Sequence, residues 1–284
     1  MPLAAPSGIT VGGAEAPTLF ARALHCLRTT DPDEKLALTQ IVAATWLPRL
    51  AAGEHPAADS PPESITTPGR PDRPHLVPPR DVPQRKLSTV EGRAALLHAV
   101  VHIEFNAINL AWDAVYRFRD MPSAYYADFI GVAADEARHF AMLRERLRAL
   151  GRDYGDFDAH NGLWEMALKT AHDVTARMAL VPRLLEARGL DVTPGMIARL
   201  RSVGDSESAE VLEIILREEV AHVAAGTRWF EHGCATQGLE PVETFRNLVE
   251  THASGAVRPP LNLASRRAAG FSDAELAAFA GRPV

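Results

Sequence analysis

Cysteine is almost missing from this chain. Cys26 and Cys234 are the only two among 284 residues, they lie far apart, and no CxxC pair exists. That excludes a disulfide framework, a zinc ribbon and a rubredoxin-type iron site, and it suits a reducing cytoplasm. Excess positive charge is missing too. Thirty Lys+Arg against 36 Asp+Glu leave a formal charge of -6, so nucleic acid is not held mainly by the protein's own field, although a local basic patch stays allowed. No run of roughly 18 uncharged apolar residues occurs, and Met1 to Ala14 lacks the basic start of a signal peptide. A soluble, cytoplasmic chain with no membrane partner is expected. Strand-type alternation and a GxGxxG nucleotide fingerprint are also absent.

What is present is helix punctuation. A helical segment spans Pro17 to Thr29, and Asp31-Pro32-Asp33-Glu34 starts a second one running to Leu50. Nine prolines from Pro56 to Pro83 forbid a regular ladder, and residues 54–83 read as an extended strap, with Leu76, Val77 and Val82 to lay it on the domain. Ser88-Thr89-Val90-Glu91 has the form of a capping box, and a first long helix follows to about Arg119 with the stripe Leu97, Val101, Ile108, Ala111, Val115. The second long helix opens with Pro122 at its first position, carries Phe129, Val132, Phe140 and Leu143, and ends before Gly151. The third lies within His172 to about Leu200, with Pro182 and the Gly189 to Pro194 segment as breaks. The fourth opens at Asp205-Ser206, shows Leu212, Ile215, Val223 and Trp229, and is expected to stop at Gly233. Pro241 to Ala253 forms another helix, and Ser272 with Glu275 caps a terminal one. The expected fold is all-α: a ferritin-like four-helix bundle over 88–250, preceded by a helical extension (1–53) and the strap (54–87), and followed by a C-terminal extension (251–284).

Charged residues sit where the core should be. Glu136 and His139 continue the stripe of the second helix, and Glu219 and His222 that of the fourth. Three helical residues rotate by about 300°, so each Glu-x-x-His pair projects from one face and can share a metal. A carboxylate buried without a partner costs several kcal/mol, and cations are the simplest remedy. Bundles that hold two iron or manganese ions take one glutamate from each of two helices and Glu-x-x-His from each of the other two. Glu104 is the one acid on the first helix's stripe. For the third helix Glu186 is favoured over Glu165 and Asp173, because Glu104 to Glu136 is 32 residues and Glu186 to Glu219 is 33. His172 would then start that helix, and residues 151–171 would be the crossover. Gly189 and Pro194 should distort the helix just past its ligand. Arg183, one turn before Glu186, is a candidate partner for a nearby carboxylate; His98 and His102 read as structural histidines. Four carboxylates and two imidazoles without sulfur suit two iron ions, with manganese or a mixed pair as the alternative.

The block Asp135-Glu136-Ala137-Arg138-His139 resembles the D-E-x-R-H signature of soluble di-iron carboxylate oxygenases and desaturases. That resemblance implies that Glu136 and His139 bind iron while Asp135 and Arg138 support them from behind. In the fourth helix Glu218 stands in the Asp position and Ala221 in the Arg position, which leaves the support of His222 open. His102-Ile103-Glu104-Phe105, Asp135 to Phe140, Glu186 to Asp191, and the tail near Pro260 and Asn262 resemble the uncharacterised ferritin-like family catalogued as domain of unknown function 455, from about residue 15 to 275. That family is similar to the tRNA hydroxylase acting on 2-methylthio-isopentenyladenosine. The implied activity is dioxygen-dependent oxidation or hydroxylation of an organic substrate, with Glu104, Glu136 and Glu219 as catalytic residues. Its implied partners are a small molecule or a tRNA nucleoside as substrate, an external electron donor, and a second copy in a homodimer. Ferritin-like iron oxidation and di-manganese peroxide scavenging are the alternatives.

Overall fold

Side-chain caps start the first two helices. Thr18 and Asp31 accept backbone N–H groups to open α1 (Leu19–Arg28) and α2 (Pro32–Ala51) in a computed structural model that describes residues 18–58 and 60–280. The first 17 residues and the last four lie outside the described residues. Then come α3 (Val90–Arg117), α4 (Ser123–Ala149), α5 (Gly162–Lys169), α6 (Val174–Leu180), a wide π turn (Val181–Glu186), α7 (Ala187–Ser202), α8 (Ser206–Gln237), α9 (Pro241–His252), α10 (Leu263–Ala268) and α11 (Asp273–Ala280). Among the described residues the only β-type pairing is a single parallel bridge between Leu76 and Ala159. The chain is all-α.

Four long rods hold the interior. α3 packs along α4; the continuous rod α6–π turn–α7 packs along α8; and α4 meets α8. α1 and α2 cover α3 and α4 from outside. α3 is long and apolar enough to cross a membrane by length and composition, yet 78% of that apolar window is buried inside the protein. Glu104, Asn106, Asn109 and Asp113 of this helix are buried.

Several expected boundaries move, each for a local reason. Thr89, not Ser88, caps α3 by accepting from Gly92 N at 3.0 Å, so Glu91 is not the reciprocal capping residue and pairs with Arg85 and Arg152 instead. Pro122 is the residue before α4, not its first position. Gly233 does not stop α8: a Cβ there would fall 2.2 Å from Thr175 Oγ1, so this glycine serves close packing against α6. The helix runs on to Gln237 and ends at Gly238, whose φ is +68°. Gly189 and Pro194 leave α7 unbroken. Pro194 frees the carbonyl of Leu190, and Asn262 Nδ2 donates to it at 3.2 Å. The distortion comes before Glu186 instead, at Pro182 in the π turn.

The strap is laid along the rods by its backbone. Gly69 N donates to Leu27 O at 2.6 Å, and a Cβ at Gly69 would lie 2.4 Å from the Arg28 carbonyl. Tyr116 Oη accepts from Glu63 N at 2.9 Å, and Trp164 Nε1 donates to Thr66 O at 2.9 Å. Val77 N and Ala159 O pair at 2.8 Å, tying the strap to the crossover between α4 and α6. His98 and His102 hold that crossover from α3. His98 Nε2 accepts from Gly155 N at 3.0 Å, and His102 reaches Tyr154 Oη at 3.0 Å and His160 O at 3.1 Å. Burial pushes both imidazoles down to about 4, so they are neutral structural groups.

Lys35 of α2 is fully buried against α3, donating to Cys26 O and Asn109 Oδ1 at 2.6 Å each, and it pairs with no carboxylate among the described residues. Burial lowers its pKa from 10.5 to about 7. The unfolded chain therefore binds more protons than the folded one between those values, and this group makes stability rise with pH across that window. Relative to Lys35→Met, the wild-type protein should gain about 2 kcal/mol between pH 7 and pH 9 in urea unfolding. A pH-independent difference would refute the assignment.

Candidate metal centre

Glu104 on α3, Glu136 and His139 on α4, and Glu219 on α8 bring one donor atom each to within 4.8 Å of one another. This buried cluster could hold a metal ion. The three-residue spacing works as the sequence suggests: Glu136 and His139 leave one face of α4, and Glu219 and His222 one face of α8. His139 Nδ1 looks at Glu104 Oε2 (3.4 Å), Glu136 Oε2 (3.4 Å) and Glu219 Oε1 (3.7 Å). His222 Nδ1 looks at Glu136 Oε1 (3.1 Å) and Glu219 Oε1 (3.4 Å). Each imidazole thus turns Nδ1 toward the carboxylates.

The outer nitrogens are held by a crossed pair of carboxylates. His139 Nε2 meets Glu218 Oε2 at 2.7 Å, and His222 Nε2 meets Asp135 Oδ2 at 3.3 Å. Every histidine is thus supported by the acid of the opposite helix. Arg138 spans the two supports, at 2.8 Å from Asp135 and 2.7 Å from Glu218, so one arginine serves both sides and the alanine at position 221 leaves nothing undone. The crossing escaped sequence reasoning because it depends on how α4 meets α8. His222, and after it Arg138, hold Asp135 down at about 2 against its partial burial, so it stays charged.

Glu186 stands apart from the tight cluster. It ends the π turn, and among the described residues it forms no side-chain hydrogen bond or ion pair. Burial, with the negative charges of Glu219 and Glu136, raises its carboxyl to about 8. It lines a small cavity of about 10 Å³ together with Ala111, Ala114, Phe129, Met178 and Pro182, room for roughly one water-sized molecule. Its rivals are elsewhere: Glu165 is exposed on α5, and Asp173 caps α6 by accepting from Thr175 N at 2.8 Å. Arg183 is not a partner of the acidic cluster. The π turn is wider than an α turn, so residues three apart no longer share a face, and Arg183 pairs with Glu275 of α11 at 2.6 Å.

Protonation in the metal-free protein follows from crowding. Burial resists charge on His139, but hydrogen bonds and charges from Glu104 and Glu136 raise it to about 11. His222 is likewise raised despite burial, chiefly by the charge of Glu219. Burial and the neighbouring Glu136 push Glu104 well up, whereas Glu136, equally buried, is pulled down by hydrogen bonds with Glu104 and both histidines. Imidazolium protons therefore supply the positive charge among the acids.

A family model described as a protein of unknown function, DUF455, matches residues 28–277. The chain belongs to this family. An uncharacterised protein from Haemophilus influenzae is 42% identical over 259 residues, covering 88% of this chain and 89% of its own. No solved structure matches.

Proposed function

We propose that this DUF455 protein is a non-haem di-iron carboxylate oxidase or hydroxylase, its four rods forming a ferritin-like bundle around two metal ions. The observation that carries the reading is the surroundings of His139 Nδ1. Three carboxylate oxygens face that one nitrogen at 3.4, 3.4 and 3.7 Å, all longer than a good N–H···O bond. One proton cannot bond well to three acceptors, whereas a cation among them coordinates all of them.

The donor set fits iron or manganese. Glu104, Glu136, Glu186 and Glu219 would carry four negative charges against four from two divalent ions, and the ligands are oxygen and imidazole with no sulfur. Glu104, Glu136, His139 and Glu219 would hold one ion, with His222 and Glu186 completing the second. When bound, a reduced iron pair supplies electrons to dioxygen. This chain's residues do the rest. Glu218 and Asp135 fix the imidazole orientations and accept their Nε2 protons. Ala111, Ala114, Phe129 and Met178 give the side where Glu186 stands an apolar lining. Electrons must come from a separate donor, and a small organic molecule or a tRNA nucleoside is the proposed substrate.

Anaerobic loading with Fe(II) followed by dioxygen tests the reading. The expected result is oxygen uptake of about one O₂ per iron pair with a transient visible absorbance and no mineral. Continuous iron oxidation to a ferric mineral would mark a ferroxidase, and rapid peroxide disproportionation by the Mn(II)-loaded protein a peroxide scavenger. Either would overturn the oxygenase reading.

A further inference from the structure

The π turn that ends in Glu186 cannot hold its shape alone. Pro182 lacks an N–H, so the backbone ladder is incomplete there, and something outside the turn must select its conformation. Contacts from three directions do so. Pro182 sits in a notch at Gly226, where a Cβ would come within 2.6 Å of its ring. Arg183 Nε donates to Thr227 Oγ1 at 3.3 Å, and Arg183 Nη2 meets Glu275 Oε1 at 2.6 Å with both side chains buried. The guanidinium also lies over Phe230, Phe245 and Phe271, at 4.9, 4.5 and 4.5 Å from the ring centroids.

Glu275 is itself aimed by its own helix. Its Oε2 accepts from Ser272 N and Oγ at 2.8 Å each, which leaves Oε1 for Arg183. The tail grips the third rod on the far side of Glu186 as well. Arg188 donates to Arg258 O and Pro260 O at 2.6 and 3.1 Å, and Arg266 pairs with buried Asp191 at 2.7 Å. Anchors at positions 183, 188 and 191 therefore bracket position 186. An apolar pair of the same volume would often pack as stably as this buried ion pair, so net stability alone does not account for it.

We propose that Arg183 and Glu275 form a clamp through which the last helix sets the position of Glu186. The C-terminal segment is then part of the metal centre's construction, and Glu275 is a positioning residue acting through Arg183. The inference rests on the metal-centre reading for its purpose, but the clamp itself can be read without metal.

The test compares full-length wild type with Glu275→Ala and with Glu275→Gln, which keeps the side chain's size. Asp273→Ala, on the same helix as Glu275, which breaks only the exposed 2.8 Å pair with Arg267 of α10, is the control. In metal-free protein, amide exchange over 181–186 should quicken about tenfold in the Glu275 variants and not in the control, while the interior of α8 keeps wild-type protection. In Mn(II) titrations followed by electron paramagnetic resonance, one of two sites should weaken about tenfold and the other stay near wild type. Wild-type exchange over 181–186 in both variants overturns the proposal. So does an equal loss at both sites with faster exchange everywhere, which is plain destabilisation. If wild type binds no Mn(II), the functional reading fails and exchange alone decides the clamp.

Discussion

Glu136→Ala should remove bound metal and destabilise the metal-free protein at once. Glu136 is the shared acid of the centre: one of its oxygens faces His222 Nδ1 at 3.1 Å, and the other faces His139 Nδ1 at 3.4 Å. Taking it away would leave two buried imidazolium groups short of a counter-charge and the proposed metal centre short of a ligand. Loss of one partner in a buried charged network costs about 3–5 kcal/mol. Elemental analysis should find metal near zero, and urea unfolding should show the destabilisation even with chelator present. Retention of two metals per chain would contradict the ligand assignment.

Metal affinity should climb steeply with pH. At neutral pH the metal-free centre holds a proton on His139, raised to about 11, and one on Glu186, raised to about 8. His222 and Glu104 are raised as well. Filling the centre should expel at least two protons, those of His139 and Glu186 among them, counted for the coupled centre as a whole. The apparent binding constant therefore rises with pH, and the slope falls by about one proton above pH 8, where Glu186 has already ionised. The metal-free fold shows the opposite trend at this site. A raised histidine stabilises fully below its unfolded value of 6.5, and that contribution is lost as pH climbs toward 11. Calorimetry in buffers of different ionisation enthalpy counts the protons, and release of fewer than about two would show that the imidazoles were never charged.

The parts of this protein that follow from periodicity were legible in its sequence. Acids in phase with an apolar stripe pointed to Glu104, Glu136 and Glu219, which the fold brings together; the repeat of spacing pointed to Glu186, which stands outside that tight cluster. Features that depend on distant packing were not legible. Pro182 was visible as a break, but the wide turn it makes is chosen by Gly226 and by Arg183, whose partner lies on the last helix. The swap by which Glu218 serves His139 and Asp135 serves His222 belongs to the α4–α8 interface and to neither helix alone. Pro194 looked like a helix breaker because nothing nearby in sequence announces that Asn262 satisfies the carbonyl it frees. Lys35 ran against the general exclusion of lysine from interiors, and only the carbonyl of Cys26 and the amide of Asn109 explain its burial.

The most direct test of the metal centre is the metal content of the protein after anaerobic dialysis against Fe(II) and removal of free ion, measured beside Glu136→Ala. Two irons per chain in wild type and none in the variant is the expected result. A wild-type chain that retains no iron or manganese, or a variant that retains as much as wild type, would contradict it.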